Sequence, residues 1–100
     1  MSITFRYDSR LGIPLPVLSC RWEEIDPFVQ ERTLLEWEEI RGTIPDKVKE
    51  LEQQIEAVHA ELSEEEDFER SCALNLKMAE LASVINDLWI YFRTTPTLSA

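Results

Sequence analysis

Glu56 and His59 are the one pair in this sequence with the spacing of metal chemistry. At i, i+3 on a helix, a carboxylate and the chain's only imidazole stand on adjacent turns, as they do in di-metal carboxylate helices. Such a centre needs a second copy of the pair and further carboxylates converging on it. His59 instead flanks Val58 at the edge of an apolar seam, so the expectation is a surface histidine with no metal and no cofactor. The run Glu64 to Asp67 lacks the alternating acids, turn glycine and distal bidentate Glu of a calcium loop, and helix-start electrostatics account for it better. Cys20 and Cys72 have no C-x-x-C spacing and read as two reduced, structural thiols. Gly12 and Gly42 are too few to build a phosphate-cradling loop, with one histidine the simplest general base for a Ser or Cys nucleophile is His59, and neither cysteine has a sequence context that would activate its thiol. The expectation is therefore a protein that is not an enzyme.

Charge narrows the classes further. Twenty Asp and Glu oppose ten Lys and Arg in 100 residues, a net charge of −10, which a nucleic-acid backbone repels. The imbalance is uneven. Residues 1–22 hold Arg6, Arg10 and Arg21 against Asp8 alone, whereas the remainder holds seven bases and nineteen acids. The basic arm can therefore lie on acidic helices. The acids themselves read as a solvated helix surface with i, i+4 partners such as Arg32 and Glu36, or more sharply as a surface for a basic protein partner.

Hydrophobic residues make up 44% of the chain and charged ones 30%, a balance that supports one small folded domain over residues 1–100. The longest apolar run is Leu88 to Phe92, and Arg6 and Asp8 interrupt the start of the chain. Neither a membrane span nor a signal peptide is expected, which makes the cytoplasm the default location.

The fold class expected is mainly α: a helical hairpin or three-helix bundle behind an N-terminal extended arm or short β-hairpin. In residues 1–20, Ile3, Phe5 and Tyr7 alternate with polar neighbours, a turn follows at Asp8 to Gly12, and Ile13, Leu15 and Val17 alternate again. Pro14 and Pro16 share one side of the backbone ladder, so as a strand this segment must leave one edge unpaired. An extended arm with polyproline character is the other form open to it.

Residues 21–93 read as helical. Asp26-Pro27 caps a first helix to about Arg41, Gly42 is placed to stop it, and Thr43-Ile44-Pro45 starts a second by the same chemistry after a short loop. Val48, Leu51, Ile55, Val58 and Leu62 then form the cleanest apolar seam in the chain. Continuing that phase lands on Glu65, Glu69, Cys72, Leu76, Ala79, Ser83 and Asn86, a poor apolar face, so the helix is expected to turn near Ser63 to Asp67, where Ser63 and Glu66 match a capping box. A third helix carries the seam Leu74, Met78, Leu81, Ile85, Leu88 and Phe92, ending near Arg93 before a loose tail over 94–100. The tetrapeptide Trp-Glu-Glu-Ile occurs at Trp22 and again at Trp37, a reused helix-edge pattern without matching flanks.

The third helix is apolar over a second sector, Phe68, Cys72, Ala79, Ala82 and Trp89, and so should be the central element, covered on two sides. Ala79 and Ala82 are expected opposite Val48 to Leu51, while Asn75 and Asn86 fall beside the apolar sectors. At roughly 40 Å against about 27 Å for the second helix, its C-terminal half overhangs. The first helix has Val29, Leu34, Trp37 and Ile40 on one arc and Phe28 with Leu35 nearly opposite. The economical cover is a second copy, a homodimer with Ile85, Leu88, Trp89 and Phe92 at its interface. In the alternative, the first helix folds over the overhang and the N-terminal hairpin covers Phe28 and Leu35. The leading functional expectation is a non-enzymatic adaptor or regulator that binds another protein, of a kind the sequence does not name. An acidic nucleic-acid mimic that inhibits a basic protein comes second, and a metal-dependent helical enzyme third.

Overall fold

Residues 3–94 are described by a computed structural model, and the expected tail lies outside them apart from Thr94. Strands β1 (Ile3–Asp8) and β2 (Ile13–Leu18) pair antiparallel, with Ile3 opposite Leu18 and Asp8 opposite Ile13. Of the two forms open to the N-terminal segment, the hairpin is realised. Its turn is closed by Gly12 N–H donating to the Asp8 carbonyl (2.8 Å) and Leu11 N–H to the Asp8 carboxylate (2.9 Å). Gly12 sits at φ 73°, a left-handed conformation that a Cβ would oppose. Pro14 and Pro16 lie opposite Tyr7 and Phe5, and the sheet has only two strands, so the edge without N–H donors needs no partner.

The mainly α class holds: a short 3-10 turn at Trp22–Glu24 leads into α1 (Pro27–Gly42), α2 (Ile44–Glu64) and α3 (Phe68–Phe92). Asp26 caps α1 as its sequence implied, accepting from Phe28 N–H at 2.8 Å. The α1–α2 junction differs from expectation. Gly42 is the last residue of α1 and is not left-handed, and no loop intervenes: Thr43 alone separates the helices, itself in right-handed helical conformation (φ −85°, ψ −13°). The break is Pro45, which has no N–H for the carbonyl four residues back and whose ring crowds that carbonyl, so α1 and α2 form one bent helical path.

Both hydroxyls read as N-caps face the other way. Thr43 Oγ1 donates to the Ile40 carbonyl (2.7 Å) and Ser63 Oγ to the Ala60 carbonyl (2.9 Å), each serving the helix that ends there. The residues before them are already helical, which brings the i−3 carbonyl within reach of a short hydroxyl. The capping box is thus not formed. α2 runs on to Glu64, and the cap of α3 is Asp67, whose carboxylate accepts from Arg70 N–H at 3.3 Å.

The two seams zip α2 to α3 as an antiparallel helical hairpin, with Val48, Val58, Leu74 and Leu88 buried and the other seam residues half-buried. The β-hairpin joins this to α1 by using both faces. Ile13 and Leu15 point from one face into a cluster with Leu11, Ile44, Val48 and Leu88, while Ile3, Phe5 and Leu18 on the opposite face pack with Trp22, Ile25, Val29 and Leu34. Helix α1 meets α3 at its end. Trp37 is buried there, its Nε1–H donating to the Thr94 carbonyl (2.9 Å) and its ring edge-on to Tyr91, while Arg41 lies over the Phe92 ring at 5.3 Å. Thr94, placed in the loose tail by its sequence context, is held by these bonds. Both copies of Trp-Glu-Glu-Ile bury their Trp, one in the 3-10 turn and one in α1.

The result is a rod, 59 × 21 × 18 Å, with a radius of gyration of 17.8 Å against about 13 Å for a compact chain of this length. One end, the base, holds the β-hairpin, α1 and the near halves of α2 and α3. The other is an arm of two helices alone.

Candidate interaction surface

The residues singled out for chemistry are not assembled. His59 and Glu56 are both exposed on α2, and no group of three potential metal ligands occurs among the described residues. Cys20 is half-buried beside the Trp22 cluster and fits its structural role, but Cys72 is exposed on α3 and holds nothing together. Arg70 reaches Glu61 and Glu65 at 3.6 Å across the α2–α3 turn, partly offsetting the acids there. A shallow groove of about 130 Å³ lies between β1 and α1, lined by Ile3, Phe5, Val29, Arg32, Thr33 and Glu36. Its Thr33 hydroxyl already donates to the Val29 carbonyl (2.7 Å). Every buried side-chain N or O among the described residues has a hydrogen-bond partner. No described helix is long and apolar enough to cross a membrane.

Of the four residues assigned to a dimer interface, Leu88 is 0% exposed, enclosed by the chain's own Leu11, Ile13, Ile44 and Val48. Ile85, Trp89 and Phe92 are half-buried around it, Trp89 edge-on to Phe92 with centroids 5.3 Å apart. The overhang is covered from within by the β-hairpin together with α1, whose Ile40 packs on the Leu88 cluster, Trp37 on Tyr91 and Arg41 on Phe92, so the cover expected of α1 is realised in part. Phe28 and Leu35, which that hairpin was to cover, are instead 67% and 64% exposed.

The open surface lies further along α3. Cover on two sides is achieved only in its C-terminal half, and the second sector named from the sequence is bare over the arm: Phe68, Cys72, Ala79 and Ala82 are all exposed. Ala79 and Ala82 do not face α2. The helices pack through the Leu/Met/Ile seam, which removes more apolar area from water than two alanines could. Asn75 and Asn86 are exposed as well.

Leu76 belongs to this surface. Its line with Cys72, Ala79 and Ser83 reads as a poor apolar face in the sequence because Glu65, Glu69 and Asn86 share it, so Leu76 is not expected there to join the second sector. Phe68 and Leu76 are 79% and 65% exposed. Phe68, Cys72, Leu76, Ala79 and Ala82 lie within roughly 60° of one line along the helix, a sector they share with the exposed Asn75.

The two flanks of this stripe differ. On one side, roughly 80–100° from its centre, stand Glu69, Glu80 and Asp87; the opposite side has Ser71, Met78 and Trp89, without charge. Asp87 is taken by Arg10 of the β1–β2 turn at 2.7 Å, and the same guanidinium donates to Ser83 Oγ at 2.9 Å. Arg10 of the basic arm thus does lie on a helix carboxylate, at this one ion pair. Glu69 and Glu80 form no ion pair among the described residues. Compared with known proteins, this chain matches no family model, no curated protein and no solved structure.

Proposed function

We propose that the protein is a non-enzymatic interaction module, an adaptor or regulator whose two-helix arm presents the outer face of α3 to another protein. The carrying observation is the pair Phe68 and Leu76, large apolar side chains on one helix that the other described residues leave mostly exposed. Contiguous apolar surface of this kind on a soluble protein marks an interface. The β-hairpin, Trp37 and the Arg41–Phe92 contact serve as the mount, holding the near end of the hairpin so that the arm projects.

The test is comparative affinity capture with the full chain and its Leu76→Asp variant. Leu76 is mostly exposed, so the variant should melt within about 0.5 kcal/mol of the parent while losing the proteins the parent retains. Recovery of the same proteins by both would overturn the reading.

A further inference from the structure

We propose that the outer face of α3 from Phe68 to Ala82 docks an amphipathic helix of another protein that carries lysine or arginine along one flank only. This rests on the interaction reading above and names the partner's chemistry. Shape comes first. The stripe is roughly 21 Å long, about four helical turns, with large residues at Phe68 and Leu76 and small ones at Ala79 and Ala82 where a second helix can approach closely. An apolar ridge with three- and four-residue spacing fits this surface, as in other helix-on-helix recognition.

Charge chooses the partner. On α3 itself acids line one flank of the stripe and not the other, and the cation that reaches them is Arg10, on Asp87 and Ser83, while Lys77, one turn from Glu80, forms no ion pair among the described residues. That contact shows the flank accepting a guanidinium. Further along, Glu69 and Glu80 stand unpaired, so a docked helix with a basic flank continues the same series of contacts toward the tip of the arm. A second copy of this chain fits less well. Set antiparallel about a two-fold axis, it brings the Glu69 and Glu80 flanks of both copies to the same side. Set parallel, it lays the two Glu64 to Asp67 tips together, and in either case each copy brings a charge of −10.

The experiment titrates the full chain with synthetic amphipathic helices of about 16 residues, roughly 24 Å long, with leucines at helical spacing and one flank of lysines, or of glutamates in a matched analogue. The lysine peptide should bind and the glutamate analogue should not. Leu76→Asp and the double variant Glu69→Lys/Glu80→Lys should each weaken binding by about tenfold or more, while Glu50→Lys/Glu52→Lys on α2 should change it by less than about twofold. Equal weakening by both charge reversals would overturn the proposal in favour of the acidic surface as a whole, as a nucleic-acid mimic would use it. Indifference to Leu76→Asp would overturn it by placing the contact elsewhere. Failure of the lysine peptide to bind, with capture of cellular proteins still dependent on Leu76, would reject the basic helix and leave the interaction reading standing. Concentration-dependent mass abolished by Leu76→Asp would assign the face to a second copy.

Discussion

Leu88 and Leu76 sit three turns apart on one helix, yet one is fully enclosed and the other stands 65% exposed. At the base, α3 is covered by α2 on one side and by the β-hairpin on the other, so Leu11, Ile13, Ile44, Val48 and Leu88 close a cluster with no solvent side. Along the arm the same helix has α2 alone, and only Val58 and Leu74 fall below a tenth exposed there. A two-helix layer buries one stripe per helix and leaves the opposite stripes wet. Stability therefore concentrates at the base, and the arm keeps an outer stripe that adds nothing to the fold.

Leu88→Ala should give the largest loss, about 3–5 kcal/mol in denaturant unfolding, because a closed cluster collapses poorly around a cavity. Leu74→Ala in the arm should cost about 2 kcal/mol, since a two-helix contact can shift to fill the space. Equal losses at the two positions would break the comparison. Amide hydrogen exchange sharpens it: protection should decline from Val48 and Leu88 toward Leu62 and Phe68, as the cover thins from two sides to one.

The turn at the tip separates two assignments of the same few residues. Asp67→Ala removes the cap that α3 uses and should cost about 1 kcal/mol, whereas Ser63→Ala, whose hydroxyl only back-bonds the end of α2, should change stability by less than about 0.5 kcal/mol. The reverse order would restore the capping box. The smallest effect belongs to Arg10→Ala. Its ion pair with Asp87 is open to solvent, so the loss should stay within about 0.3 kcal/mol and shrink as salt is added.

Local chemistry settled much of this molecule in advance. The 3.6-residue seams Val48 to Leu62 and Leu74 to Phe92 face inward as their spacing required, because an apolar stripe on a helix has one low-energy direction. The phase break placed the turn after Ser63, and Asp26-Pro27 began α1, since a capping carboxylate beside a residue without N–H suits the first turn alone. The two prolines of β2 left one sheet edge free. Where two local signals competed, spacing alone pointed to the wrong one. Ser63 matched a capping box and Gly42 a helix stop; backbone continuity through Thr43 and Glu64 decided for Asp67 and Pro45. Tertiary packing alone decided which surface stays open. The β-hairpin presents opposite faces to two clusters, covering Leu88 and leaving Phe28, Leu35, Phe68 and Leu76 bare. Periodicity reports that a stripe is apolar, but which neighbour reaches it depends on the bend at Pro45 and the position of the hairpin, which only the folded chain determines.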